Sequence, residues 1–288
     1  GDTLWKYLTT DDAVPAIPLP WQGLQEKTLG LRKNELWTFT AGTGVGKTQV
    51  CREIVYHMLK TTDVKIGLVS LEESLKKSCF GLMALHAGCN HWSTLQLEPE
   101  DLREAYDATV GSGRVYLYDH FGSFDDTENL MNRIRYMSKA LGVDWIVFDH
   151  ITLALSGTDD KNERKSIDVL MTALRTMVSE LGIGMIVVSH LSRQQGRPAE
   201  EGGQVGLHSL RGSHSVGQLS NFVIALERNL QGNTDDEQNR TTIRVLKNRF
   251  NGRTGVAGFL VWDKDSGRLY EGAEVDIAAS SSDAPAPF

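Results

Sequence analysis

Cysteine, proline and net positive charge are scarce in this chain. Its three cysteines, Cys51, Cys79 and Cys89, form no C-x-x-C pair. That argues against a disulfide scaffold and points to reduced thiols in a cytosolic compartment. No cysteine–histidine cluster has zinc-ligand spacing. Of seven prolines in 288 residues, three crowd together at Pro15, Pro18 and Pro20, so residues 1–30 read as a linker or docking segment, with Trp21 and Leu24 expected to pack onto the domain that follows. No apolar run approaches the roughly 18–20 residues that span a bilayer, and no signal peptide is evident. Acidic residues outnumber basic ones 37 to 30, and the pI is about 5.6. An overall basic surface for nucleic acid is therefore absent, and any DNA contact must come from local positive loops. No internal repeat occurs. A chain opening on Gly1 is expected to be a piece of a longer protein.

What is present is a core-forming composition, 40% hydrophobic, organised around Ala41-Gly42-Thr43-Gly44-Val45-Gly46-Lys47-Thr48. This is the P-loop pattern [AG]-x-x-x-x-G-K-[ST]. An apolar, β-prone run (Leu36 to Thr40) precedes it, and a helical pattern (Gln49 to Leu59) follows. Strand, glycine-rich turn and helix is the context the motif requires. The turn lets backbone N–H groups close around phosphate oxygens, and the helix N-terminus adds its positive end. Lys47 is placed to reach the β- and γ-phosphates, and the Thr48 hydroxyl to hold Mg²⁺.

Downstream, strands are expected at 64–71, 114–118, 144–150, 183–189 and 222–226, with helices at 74–90, 99–110, 127–141 and 161–181. In the last helix Ile167, Leu170, Met171, Leu174, Val178 and Leu181 make one apolar stripe. Alternation of this kind predicts an α/β fold with a mostly parallel sheet covered on both faces. Segments 241–246 and 255–262, with a turn at 263–267, read as an antiparallel meander on the sheet edge. The domain is expected to span 31–270. The tail from Glu271 to Phe288, acidic and without a basic residue, reads as disordered.

Ligands of such sheets bind at the carboxyl ends of the strands, where Glu72, Asp149 and His190 all fall. Asp149 fits the acid that orders Mg²⁺. Hydrolysis further needs a group that activates water in line with the γ-phosphate. Many P-loop ATPases place a glutamate directly after the metal-binding aspartate, but this chain has His150 there. Glu72 is the natural candidate base. Glu73 is the alternative, although a one-residue shift turns its side chain away. His190 either senses the γ-phosphate and relays it to residues 191–212, or caps its strand. Arg249, between a strand and a Gly-rich turn, is either a finger for a neighbouring subunit's phosphate or a solvated charge.

The ordered motifs AGTGVGKT, LVSLEES, DWIVFDHIT, IVVSHLSR, SLRGSHSVGQLSN, ALERN and LKNRFNGRTGVAG resemble the helicase domain of phage primase–helicases. More distantly they resemble mitochondrial Twinkle and bacterial DnaB. The resemblance implies a RecA-like P-loop NTPase core and a ring, usually a hexamer, with nucleotide sites between subunits. It also implies 5′–3′ movement on single-stranded DNA fuelled by ATP or dTTP with Mg²⁺. In its terms Lys47 and Thr48 bind phosphate and metal, Asp149 supports the metal and Glu72 is the base. His190 and Gln218 match γ-phosphate-sensing positions, Arg249 the arginine finger, and Arg228 and Trp262 the flanks of the base. The loop after His190 matches the channel loop, making Arg193, Arg197 and Arg211 the DNA-binding residues. Relatives often carry several lysines there, and this chain departs from them. The tail ending in Phe288 resembles tails that dock replication partners such as the polymerase. The location implied is the cytoplasm, of an infected bacterial host for a phage protein, with the mitochondrion as the lesser alternative. The competing readings are a RecA/RadA-type recombinase filament, a P-loop kinase and a non-enzymatic assembly platform.

Overall fold

Runs of β-branched and aromatic residues with few polar interruptions cannot leave a face to water, so they form strands buried on both sides. A computed structural model describes residues 4–5, 15–118, 127–152, 163–192 and 197–272. Its strands are β1 (Leu36–Ala41), β2 (Ile66–Ser70), β3 (Val115–Tyr118), β4 (Trp145–Asp149), β5 (Gly184–His190), β6 (Phe222–Arg228), β7 (Arg240–Asn248), β8 (Gly255–Trp262) and β9 (Leu269–Gly272). They form one sheet in the order β3-β2-β4-β5-β1-β6-β7-β8-β9. β3 through β6 in that order are parallel, and β7, β8 and β9 add on antiparallel. The parallel core and the meander thus match the sequence expectation.

Helices cover both faces. On one lies α2 (Lys47–Thr61), preceded by the short α1 (Gln22–Thr28) and followed by α3 (Leu75–Ala87) and α4 (Pro99–Ala108). On the other lie α5 (Thr127–Leu141), α6 (Glu163–Leu181) and α7 (Ser213–Leu219). A last short helix, α8 (Asp235–Asn239), precedes β7. The predicted stripe of α6 is the one it buries: Ile167, Leu170, Met171, Leu174 and Val178 pack with Ile146, Phe148 and Met185. Each such side chain contributes about 1.5–3 kcal/mol on burial. On the first face Trp37 stacks on Phe222 with ring centroids 3.9 Å apart.

Trp21 and Leu24 pack onto the domain as expected, and residues before them join in. Ile17, Leu19, Trp21 and Leu24 are buried in the core, Ile17 pairs with Leu31, and Trp21 Nε1 donates to Leu269 O at 3.1 Å. The apolar residues between the prolines outweigh the prolines' disruption of regular structure. At the other end Glu271 belongs to β9, and its carboxylate accepts the N–H groups of Gln22 (2.7 Å) and Gly23 (2.8 Å) at the start of α1. The rest of the expected tail, 273–288 with Phe288, lies outside the described residues. β9, α1 and α7 had not been expected from the sequence.

Candidate nucleotide site

Register fixes what meets at the carboxyl edge of the sheet. Ala41 pairs with His190 and with Leu226, and Ser70 pairs with Asp149. The ends of β1, β2, β4, β5 and β6 therefore line one crevice. Gly44 (φ 74°) and Gly46 (φ 107°) take left-handed backbone in the turn leaving β1, a conformation that L side chains seldom adopt. The loop opens a cleft of about 580 Å³.

Lys47 is buried, and its Nζ donates to Ala41 O (3.0 Å) and Gly42 O (2.8 Å). Burial lowers its pKa, while the charges of Asp149, Glu72 and Glu200 pull it back up. Thr48 Oγ1 donates to Asp149 Oδ2 at 2.6 Å. Burial raises the Asp149 pKa, and the Thr48 hydrogen bond opposes that rise. A hydroxyl and a carboxylate side by side at a P-loop form the hard-oxygen pair that suits Mg²⁺, so the residues present fit that ion.

Glu72 leaves the end of β2 into the crevice, with its side chain 58% exposed. Its Oε2 lies 3.6 Å from His150 Nε2, and the His150 and His190 rings meet edge to face at 4.1 Å. Donor atoms of Glu72, His150 and His190 all lie within 4.8 Å of one another. Burial, reinforced by the Lys47 charge, brings both histidines down to about 4, so both rings are neutral at neutral pH. Among the described residues nothing partners the buried His190 Nε2, a costly state that a ligand's polar atom would relieve. Glu73 is tied into an ion pair with Arg52 and, at 3.0 Å, with Lys77. It lies in the bend after β2 and, like Glu72, lines the cleft.

Arg228 and Trp262 both line the cleft, with the guanidinium carbon 5.8 Å from the ring centroid. Arg228 is held by Gln238 O and Asn239 Oδ1 on α8. Trp262 also packs against the core, so it serves both structure and cleft wall.

Gln218 and Arg249 are not brought to this crevice. β7 runs antiparallel, so Asn248 pairs with Phe222 at the amino end of β6, and Arg249 N donates to Asn221 O at 2.9 Å. From Asn221 to Leu226, the partner of Ala41, is five residue steps, or about 17 Å at ~3.4 Å per residue. Arg249 Nη2 donates to Gln218 O at 2.7 Å, and Lys247 Nζ donates to the carbonyls of Gly217 and Gln218. The turn bearing Arg249 is fixed by Asn248, whose Oδ1 accepts from Phe250 N and Asn251 N and whose Nδ2 donates to Lys27 O.

Of the expected DNA residues, Arg193 lies outside the described residues and Arg197 is exposed. Arg211 sits beside the crevice: its N–H donates to His190 O at 3.0 Å, and its charge helps depress both histidines. The sequence did not point to Glu200, which accepts Thr43 N–H at 2.7 Å, or to His91 and Trp92 on the cleft wall. These lie in stretches without periodicity.

The model of the DnaB-like helicase C-terminal domain matches residues 16–270. The DNA helicase/primase of Enterobacteria phage T3 is 36% identical over 283 residues, covering 95% of this chain and 49% of that protein. The replicative DNA helicase DnaB of Geobacillus stearothermophilus is 24% identical over 268 residues, covering 88% and 56%. The chain thus spans about half the length of these relatives. Among solved structures, an isolated ATPase domain superposes with a TM-score of 0.73 at 20% identity, covering 93% of this chain and 95% of that one. A DnaB-like replicative helicase studied with primase gives 0.71 at 20%, covering 93% and 64%. These structural matches speak to the fold, which they share. The family follows from the match over 16–270: this chain belongs to the DnaB-like helicase C-terminal domain family.

Proposed function

We propose that the chain is the NTP-driven motor of a ring-forming replicative DNA helicase, moving 5′–3′ on single-stranded DNA and separating the duplex ahead. The observation that carries this is the split of the machinery. A P-loop, an acid pair and two neutral histidines occupy one edge of the sheet, and Arg249 is held on a rigid turn at the other. An arginine about 17 Å of strand away cannot serve its own phosphate loop but can serve a neighbour's. Head-to-tail interfaces that close make rings, and six copies is the expected number.

In this reading Gly42 to Thr48 cradle the triphosphate of ATP or dTTP. Thr48 and Asp149 would hold Mg²⁺, which would supply positive charge against the triphosphate. Glu72 accepts the proton of the attacking water, and His190 reads the γ-phosphate through its Nε2. Arg228 and Trp262 flank the base. From the next subunit, Arg249 stabilises the transferring phosphoryl group and Gln218 borders the interface. The loop after His190, with Arg193, Arg197 and Arg211, tracks the DNA backbone without reading sequence. The likeness to a phage helicase/primase supports work in the cytoplasm of an infected bacterium, and the acidic tail to Phe288 is assigned to docking a replicative polymerase. Membership of a helicase family favours this reading over a recombinase filament.

The test is strand separation on a forked duplex, with Mg²⁺ and each NTP in turn. Separation that requires a single-stranded tail and NTP supports the proposal and identifies the fuel. Hydrolysis with no separation in the ring-assembled full-length protein contradicts it.

A further inference from the structure

Glu200 is a built part of the phosphate site. Its backbone is fixed at the exit of β6: Leu230 N donates to Glu200 O at 2.8 Å, Gly203 N donates to Pro198 O at 2.9 Å, and Glu201 bridges to Asn229. Ala199 and Val205 on either side are buried against Ala225. From this anchored segment the Glu200 side chain crosses to the P-loop, where Oε1 accepts the Thr43 N–H at 2.7 Å. A Cβ on Gly42 would stand 2.5 Å from the Glu200 carboxyl carbon, so the glycine at the free second position of the motif makes room for the carboxylate. Lys47, buried at the floor of the loop, feels the Glu200 charge. An anion bound by a phosphate-loop amide in the field of the phosphate-binding lysine draws on the same positive field that a phosphate would use.

We propose that Glu200 is an internal anion that competes with the phosphates of an incoming NTP for the phosphate loop. This rests on the NTP-binding reading above. A triphosphate carries several negative charges into the same few ångströms, and like charges at that separation in a half-buried site repel strongly. Binding therefore breaks the Glu200–Thr43 contact. Glu200 is a positioning residue: it sets the affinity and the loop state and does not touch the reacting atoms.

The test is binding of a non-hydrolysable triphosphate analogue to the nucleotide-free protein without DNA, in wild type, Glu200→Gln and Glu200→Ala. Losing an internal competitor tightens binding, by about tenfold if the displaced charged hydrogen bond has the usual strength. Affinity for the nucleoside, which has no phosphates, stays unchanged. A residue that merely props the fold would weaken both ligands when removed. In parallel, the Thr43 amide resonance of the nucleotide-free protein shifts in Glu200→Gln, and the shifts of wild type and variant converge once nucleotide is bound. Equal or weaker triphosphate binding by folded variants overturns the inference alone. Absence of triphosphate binding by wild type and variants alike overturns the NTP reading and this inference with it.

Discussion

The two edges of the sheet are built differently. At the carboxyl edge, polar groups are drawn out of water: Lys47, Asp149 and His150 are buried, burial dominates the shift of each, and His190 keeps a buried nitrogen without a partner among the described residues. At the amino edge, Arg249 is exposed and Lys247 half-buried, and the protein's own carbonyls satisfy them, both side chains donating to Gln218 O. One edge is unfinished and carries electrostatic cost. The other is locally satisfied and presents an arginine outward. Such a difference is expected when catalytic parts are shared between copies, because the incomplete half gains most from what the complementary half brings.

Substitutions at each edge can break this comparison. Arg249→Ala is expected to lower hydrolysis the most, by roughly 10³–10⁵ if it stabilises the transferring phosphoryl group, with nucleotide affinity little changed in a binding assay. A small loss would return Arg249 to a solvated charge. Glu72→Gln is expected to cost about 10²–10⁴ in turnover, the usual range for a general base, again with binding retained; near-normal turnover would exclude it as the base. Trp262→Ala sharpens the contrast by acting on binding instead. Loss of stacking weakens nucleotide affinity by about 1–3 kcal/mol, with kcat held at saturation. A fall in thermal stability without an affinity change would assign Trp262 to the core alone.

The smallest effect concerns Lys247. Burial, with the adjacent Arg249 charge, lowers its pKa from 10.5 to about 8. Between pH 8 and 10.5 the folded chain has released a proton that the unfolded chain keeps, so this group's cost to stability is fully present below pH 8 and relieved as pH rises toward 10.5. Arg249→Ala removes the like charge and moves the Lys247 titration upward, measurable as a shifted pH profile of amine acylation at that lysine.

Much of the carboxyl edge was legible in the sequence because it depends on short-range patterns. The P-loop sits between a strand and a helix, and Glu72, Asp149 and His190 each end an apolar run, so a parallel sheet brings them together by register. The amino edge was not legible in that way. Arg249 follows a strand as plainly as Asp149 does, and only the antiparallel direction of β7 sends it to the far side. α7 is built from Ser213, His214, Ser215 and Gly217, poor helix formers, and it depends on packing against α6: a Cβ at Gly212, its N-cap, would stand 2.5 Å from Ile167. β9 is four residues long and is pinned from a distance, with Arg268 and Leu269 N bonded to Glu53 on α2. Glu200 lies 157 residues from Thr43 in a polar stretch with no period. Interactions of that range leave no local signature.

The central claim is that one working site needs the carboxyl edge of one copy and the amino edge of another. Hydrolysis by a mixture of Lys47→Ala and Arg249→Ala chains tests it most directly, since each alone is inactive. In a randomly mixed ring up to about a quarter of the interfaces join an intact Lys47 to an intact Arg249. The account predicts recovery of activity toward that fraction of wild type. A mixture no faster than the two variants measured separately would contradict it.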